Sequence, residues 1–168
     1  MQSIYFVRGA PGSGKTTVAA AMVEKYGMVH VEADQFFERS GEYKFNAALL
    51  GQAHAWAKKK LIAGLRGGSD VVVSNTSART SDVLGYLDGV SRSVVVTVID
   101  LSSGGSRAKY KNKHGVPDDK VESFVEKFEE FPASERKGKT LSGKVSMPGG
   151  ETMSVPDSAS YVIWPGAK

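Results

Sequence analysis

The chain has 168 residues, no cysteine, 40% hydrophobic residues and a formal charge of +4. That length supports a single well-buried core, and the lack of cysteine excludes a disulfide framework, a thiolate zinc or iron–sulfur site and a cysteine nucleophile. No apolar run approaches the roughly 20 residues that cross a bilayer, and Met1–Arg8 lacks a basic start, so a cytoplasmic protein with an anionic partner and no membrane contact is expected.

Ile4–Val7 is the first of five short runs rich in β-branched residues; the others are Met28–Val31, Val71–Val73, Val94–Ile99 and Tyr161–Trp164. Continuous apolar runs mark strands buried on both faces. Helical spacing fills the gaps. Val18, Met22, Val23 and Tyr26 share one side of Lys15–Tyr26, and Leu50, Ala53, Ala57 and Leu61 share one side of Asn46–Leu65. Pro117, Asp118 and Asp119 open a third helix, in which Val121, Phe124, Val125 and Phe128 recur at helical spacing. This alternation predicts an α/β fold, a doubly wound parallel sheet flanked by helices, with ligands beyond the carboxyl ends of the strands. From Gly138 onward proline and glycine rise and the helical period ends. Residues 1–135 therefore read as one domain and 136–168 as an appendage, either a hairpin that covers a sheet edge or a loose tail.

Gly9, Ala10, Pro11, Gly12, Ser13, Gly14, Lys15 and Thr16 match the phosphate-binding pattern G-x-x-x-x-G-K-[ST] between a strand and a helix. In that setting backbone N–H groups and a helix N-terminus converge on phosphates. Lys15 would neutralise the β and γ phosphates of a nucleotide such as ATP, the Thr16 hydroxyl would hold Mg²⁺, and Thr17 would add a hydroxyl near the α phosphate. The fold is thus expected to be that of a P-loop NTPase. Guanine specificity is not indicated, because Asn112 and Lys113 continue into His114 and Gly115 without the required Asp. Val71–Val73 ends in Ser74, and Asp100 reads equally as a strand-end cap, so the carboxylate that supports Mg²⁺ is left open.

Asp34, after the second strand, stands where a doubly wound sheet aims residues into the ligand crevice. A carboxylate there can accept the proton of an attacking hydroxyl; it can also simply cap the helix or turn beginning at Gln35. Glu32 competes for the same role, yet strand alternation points it away from Ala33, so reaching the crevice would need a displaced strand end. Arg107, Lys109, Lys111, Lys113 and His114 crowd eight residues without an acid. Such a segment is a solvated face or, downstream of a phosphate cradle, a basic lid whose cations stabilise a transferring phosphoryl group.

Three segments together resemble one family: Gly9–Thr17, the Glu32–Leu50 stretch with Asp34, Phe36, Phe37, Arg39, Gly41, Tyr43, Phe45 and Leu49, and Lys111–Pro117, which reads K-N-K-H-G-V-P. These are similar to the small P-loop polynucleotide kinases: the phage polynucleotide 5′-kinase domain and, more closely, the kinase-like domain of NEDD-family ubiquitin ligase binding proteins. The resemblance covers about residues 1–131. It implies ATP and Mg²⁺ as cofactors, Asp34 as general base, Lys15, Arg107 and Lys111 as charge stabilisers, and Asn75 and Thr76 near the acceptor or γ phosphate. Arg39 and Arg79 become contacts to a nucleic acid acceptor, most readily DNA. Lys111 stands where Arg is usual, and an ammonium lacks the bidentate fork of a guanidinium. A second similar group is the phage kinases acting on 5-hydroxymethyluracil in DNA. The expected activity is transfer of the γ phosphate to a primary hydroxyl on nucleic acid, either that base or a 5′-OH end, in host cytoplasm if phage-encoded. The alternatives are a small-molecule kinase for a sugar acid, nucleoside or antibiotic, and a nucleotide-binding module without transfer.

Overall fold

The structure is a computed structural model that describes residues 2–10, 12–77, 79–101, 140–146 and 152–164. Strand β1 (Ser3–Arg8) leads through a glycine loop into helix α1 (Lys15–Tyr26) and then β2 (Val29–Val31). A 3₁₀ helix over Ala33–Glu38 and a 3₁₀ turn over Ala47–Leu49 come before α2 (Leu50–Arg66) and β3 (Val71–Val73). Helix α3 (Thr80–Leu87), β4 (Val94–Asp100), β5 (Thr140–Ser146) and β6 (Thr152–Trp164) follow. The helix expected to open at Pro117, the basic segment and the K-N-K-H-G-V-P stretch lie outside the described residues.

The six strands form one sheet in the order β2-β3-β1-β4-β6-β5. β2, β3, β1 and β4 are parallel, and this part bears out the doubly wound α/β class expected from the sequence. The wholly parallel sheet is corrected at one edge, where the Tyr161–Trp164 run belongs to β6 and pairs antiparallel with β4, Thr97 opposite Tyr161 and Val94 opposite Trp164. β5 pairs antiparallel with β6. β5 and β6, neighbours both in sequence and in the sheet, need no crossover helix between them because they are antiparallel.

Each buried strand feeds two faces. Ile4, Phe6, Val71, Val73, Val94, Val96 and Val98 point toward α2 and α3, packing with Ala57, Leu61, Leu65, Val83 and Leu87. Tyr5, Val7, Val72 and Ile99 point the other way, onto Ala19 and Met22 of α1. Fully burying side chains of this size stabilises the fold by about 1.5–3 kcal/mol each. α2 lies close on the sheet: a Cβ added at Gly64 would sit 3.2 Å from the Val71 side chain and 3.3 Å from that of Val29. The expected start of this helix at Asn46 shifts, since Asn46 caps the 3₁₀ turn by accepting from the Ala48 amide at 3.0 Å, and α2 itself begins at Leu50.

The chain moves out from β1 to β2, returns to β3 beside β1, then crosses to β4 on the far side. That reversal brings the loops after β1, β2 and β3 together at the carboxyl end of the sheet, the usual crevice for ligands in such folds.

Candidate active site

The loop after β1 is held open by its glycines. Gly12 and Gly14 have φ of 80° and 97°, a region that side chains with a Cβ rarely adopt. Gly14 is the N-cap of α1. The Ser13 amide donates to the Ala10 carbonyl at 3.0 Å, and the Gly9 amide donates to the Thr76 carbonyl at 3.3 Å, which ties the cradle to the loop after β3. The Ser13 hydroxyl is buried with no hydrogen-bond partner among the described residues; such an orphan is costly unless a ligand oxygen meets it. Lys15 folds back to donate to the Ala10 carbonyl at 3.0 Å. Burial lowers its pKa to about 8, against the opposing pull of Glu32 and Asp34. An ammonium held at such cost with a glycine cradle and an orphan hydroxyl fits a polyphosphate. Thr17 is exposed on the first turn of α1, and Pro11 lies outside the described residues.

The two acids are separated by a change of backbone. β2 ends at Val31, Glu32 is extended with φ −145°, and the 3₁₀ helix starts at Ala33. Glu32 keeps the alternation, on the side of His30 and opposite the buried Val31 and Ala33, and from that side it reaches the crevice: the Thr16 hydroxyl donates to Glu32 Oε1 at 3.4 Å. This corrects the expectation that Glu32 needs a displaced strand end to reach the crevice. His30 stands beside it, with Nε2 3.7 Å from Glu32 Oε2 and 2.6 Å from Ser74 Oγ. Asp34 is the second residue of the 3₁₀ helix, whose N-cap is Glu32, so the capping role considered for Asp34 at Gln35 is not what the structure shows. Its Oδ1 accepts from the Tyr43 hydroxyl at 3.3 Å.

Asn75, buried after β3, accepts from the Ala33 amide through Oδ1 at 2.9 Å. It thereby braces the start of the segment that carries Asp34. On the same side the Tyr86 hydroxyl lies 2.6 Å from His54 Nδ1. Burial pushes Tyr86 well above its ordinary range and pushes His54 down. Ser77 closes this loop with a φ of 46°, the one positive φ outside glycine among the described residues, and its carbonyl accepts from Nη1 of the fully buried Arg8 at 3.3 Å. Thr76 is exposed. Arg39 and Arg79 are also exposed and bond within their own turns. Arg39 Nε donates to the Phe36 carbonyl at 2.9 Å with its guanidinium 3.8 Å over the Phe36 ring, and the Arg79 amide donates to Asp82 Oδ2 at 3.0 Å. Arg107 and Lys111 lie outside the described residues.

The sequence pattern of the AAA domain family matches residues 4–131. The chain belongs to that family. This AAA domain is similar to human NEDD4-binding protein 2, 26% identical over an alignment of 137 positions, with coverage of 76% of this chain and 8% of that protein. It is similar also to an uncharacterized protein of Pasteurella multocida, 27% identical over 130 residues, 69% of this chain and 70% of the other. These matches bear out the likeness to small P-loop polynucleotide kinases. The fold is shared with a chain of the Pnkp1/Rnl/Hen1 RNA repair complex, with TM-score 0.58, 18% identity and coverage of 75% of this chain and 43% of that one. It is also shared with a gluconokinase from Sinorhizobium meliloti 1021, with TM-score 0.50, 20% identity and coverage of 77% and 75%.

Within the AAA domain, the described residues thus bring together Lys15, Thr16, Glu32 and Asp34, with Asn75 behind them. A cation, a hydroxyl and two carboxylates at the mouth of a glycine cradle can hold a metal-bound polyphosphate and accept a proton next to it. Two contacts were missed from the sequence. Alternation places Glu32 correctly beside His30 but does not tell which face of the sheet meets Thr16, although the Gln35 side chain that accepts from the Glu32 amide at 3.2 Å is a recognisable helix-start signal. Tyr43 carried no role, since nothing in its spacing shows what it touches. No helix among the described residues is long and apolar enough to cross a membrane.

Proposed function

We propose that the protein is an ATP-dependent kinase that transfers the γ-phosphoryl group to a primary hydroxyl of a nucleic acid. The observation that carries this reading is the meeting of the glycine cradle and the buried Lys15 with two carboxylates, Glu32 and Asp34, whose charges offset part of the burial cost of the Lys15 ammonium. Asp34 takes the hydroxyl proton as the alcohol oxygen bonds to the γ phosphorus. The bond from phosphorus to the β–γ bridging oxygen breaks, ADP departs with that electron pair, and the proton passes from Asp34 to solvent. Lys15 stabilises charge on the β and γ oxygens, and Arg107 and Lys111 are proposed to do so from the lid.

Bound Mg²⁺ would neutralise charge between the β and γ phosphates. Thr16 and Glu32 are the side chains that would hold it, Glu32 directly or through water. The Gly9–Thr17 loop binds the nucleotide. Arg39, Asn75, Thr76 and Arg79 are assigned to the acceptor side, Asn75 acting through the Ala33 amide. A nucleic acid acceptor is supported by the family resemblance and by the run of cations from Arg107 to His114. Two acceptors fit equally, a 5-hydroxymethyluracil base in phage DNA or a polynucleotide 5′-OH end, and a cytoplasmic setting accompanies either.

The test is incubation with labelled ATP and oligonucleotides carrying either hydroxyl, followed by digestion of the product to nucleosides. Label on an oligonucleotide supports the proposal, whereas label only on sugar acids or nucleosides from a metabolite pool overturns it in favour of a small-molecule kinase. Asp34→Asn should abolish transfer and retain ATP binding.

A further inference from the structure

Tyr43 is the residue that the proposed chemistry leaves without a task. It sits on the turn between the first 3₁₀ helix and α2, where Gly41, at φ 88°, reverses the chain. The Gly41 amide donates to the Glu38 carbonyl at 2.9 Å and the Lys44 amide to the Phe37 carbonyl at 3.0 Å. These bonds close the turn over the helix that carries Asp34. The Tyr43 ring meets the buried Phe37 ring edge-on, centroids 6.4 Å apart, which limits its swing. Its hydroxyl is thereby delivered to Asp34 Oδ1 at 3.3 Å.

From this geometry we infer that Tyr43 is a positioning residue for Asp34, holding the plane of the carboxylate so that it meets the acceptor hydroxyl in the orientation proton transfer requires. The inference rests on the reading of Asp34 as general base. One hydrogen bond to Oδ1 removes the free rotation of an aspartate about its last bond, and orientation of a reacting group is a large part of what an active site supplies. The phenol suits the task. Burial, with the Asp34 carboxylate adding to it, raises the Tyr43 pKa to about 12, so the hydroxyl stays a donor throughout the working range and does not compete as a base. Lys15 of α1 and His54 of α2 also feel the Asp34 carboxylate, and Glu32 and Glu38 share the surroundings of the Tyr43 hydroxyl. Neither Lys15 nor His54 is held in place by the turn. Tyr43 links the loop conformation to the base.

The test uses the full chain with a labelled acceptor oligonucleotide. Tyr43→Phe keeps the ring and its contact with Phe37 and removes only the donor. kcat is expected to fall about tenfold, the size expected for one hydrogen bond to a charged group, with KM for ATP and for the acceptor unchanged. Wild-type kcat in Tyr43→Phe, beside an inactive Asp34→Asn, overturns the role of Tyr43 and leaves the base intact. Full activity in Asp34→Asn overturns both. A rise in either KM at unchanged kcat assigns Tyr43 to binding and also overturns the inference.

Discussion

Nucleotide binding should consume a proton above neutral pH, and Lys15 sets the amount. In the free protein burial lowers its pKa to about 8, so at pH 8.5 about three quarters of the molecules carry a neutral amine. A triphosphate beside it supplies the counter-charge that the cradle lacks and returns the pKa toward its ordinary value, about 10.4. The complex then binds more protons than the free protein between pH 8 and that value, so affinity must fall as pH rises through this window. With a free pKa near 8, the dissociation constant for ATP should increase roughly eightfold between pH 7.5 and 9, and binding at pH 8.5 should take up about 0.7 proton. Titration calorimetry in two buffers of different ionisation enthalpy measures both. Lys15→Met should remove the proton uptake. A flat affinity and no uptake in the wild-type protein would refute the argument that burial of this ammonium outweighs the nearby Glu32 and Asp34.

Two further predictions concern the supports of the site. Glu32→Gln should weaken divalent-cation binding in the nucleotide complex about tenfold or more, read from the paramagnetic signal of free Mn²⁺, while nucleotide affinity in chelator changes little; unaltered Mn²⁺ binding would remove Glu32 from the metal's surroundings. Asn75→Ala strips the Ala33 amide of its acceptor inside the fold, which costs about 1–3 kcal/mol. For a chain of this size that is a fall of roughly 2–12 °C in melting temperature, and an unchanged calorimetric midpoint would show that water replaces the amide without loss.

The parts of the molecule that could be read from the sequence are those in which one local rule decides the outcome. Val71–Val73 has no room for another structure between a helix end and a polar loop, and the glycines at 12 and 14 announce the left-handed bends that the cradle contains. Glu32 follows the period-two rule, beside His30 and opposite Val31 and Ala33, but that rule does not say which side of the sheet receives Thr16; the packing of α1 decides it. Helix α3 was not foreseen. Its eight residues include Gly85, and its best signal was Asp82 three positions after Arg79, where it accepts the Arg79 amide. β6 was seen only at its last four residues because Pro156 argues against a strand. The ladder accommodates it by an irregularity: Ser158 pairs with Ser142 and Ser154 with Lys144, so residues 155–157 face a single position. The Tyr43–Asp34 contact joins positions nine apart across a turn, and no periodicity reports it.

The pairing of β6 along all seven residues of β4 has a practical corollary. A fragment trimmed to the family match, which ends at 131, would leave β4 with a bare row of peptide donors and acceptors on its outer side. Such a margin is adhesive, and a second copy of the same fragment is the nearest thing for it to stick to. The β5–β6 pair thus serves the parallel strands as a selvage serves cloth: it keeps the border from catching on its neighbours.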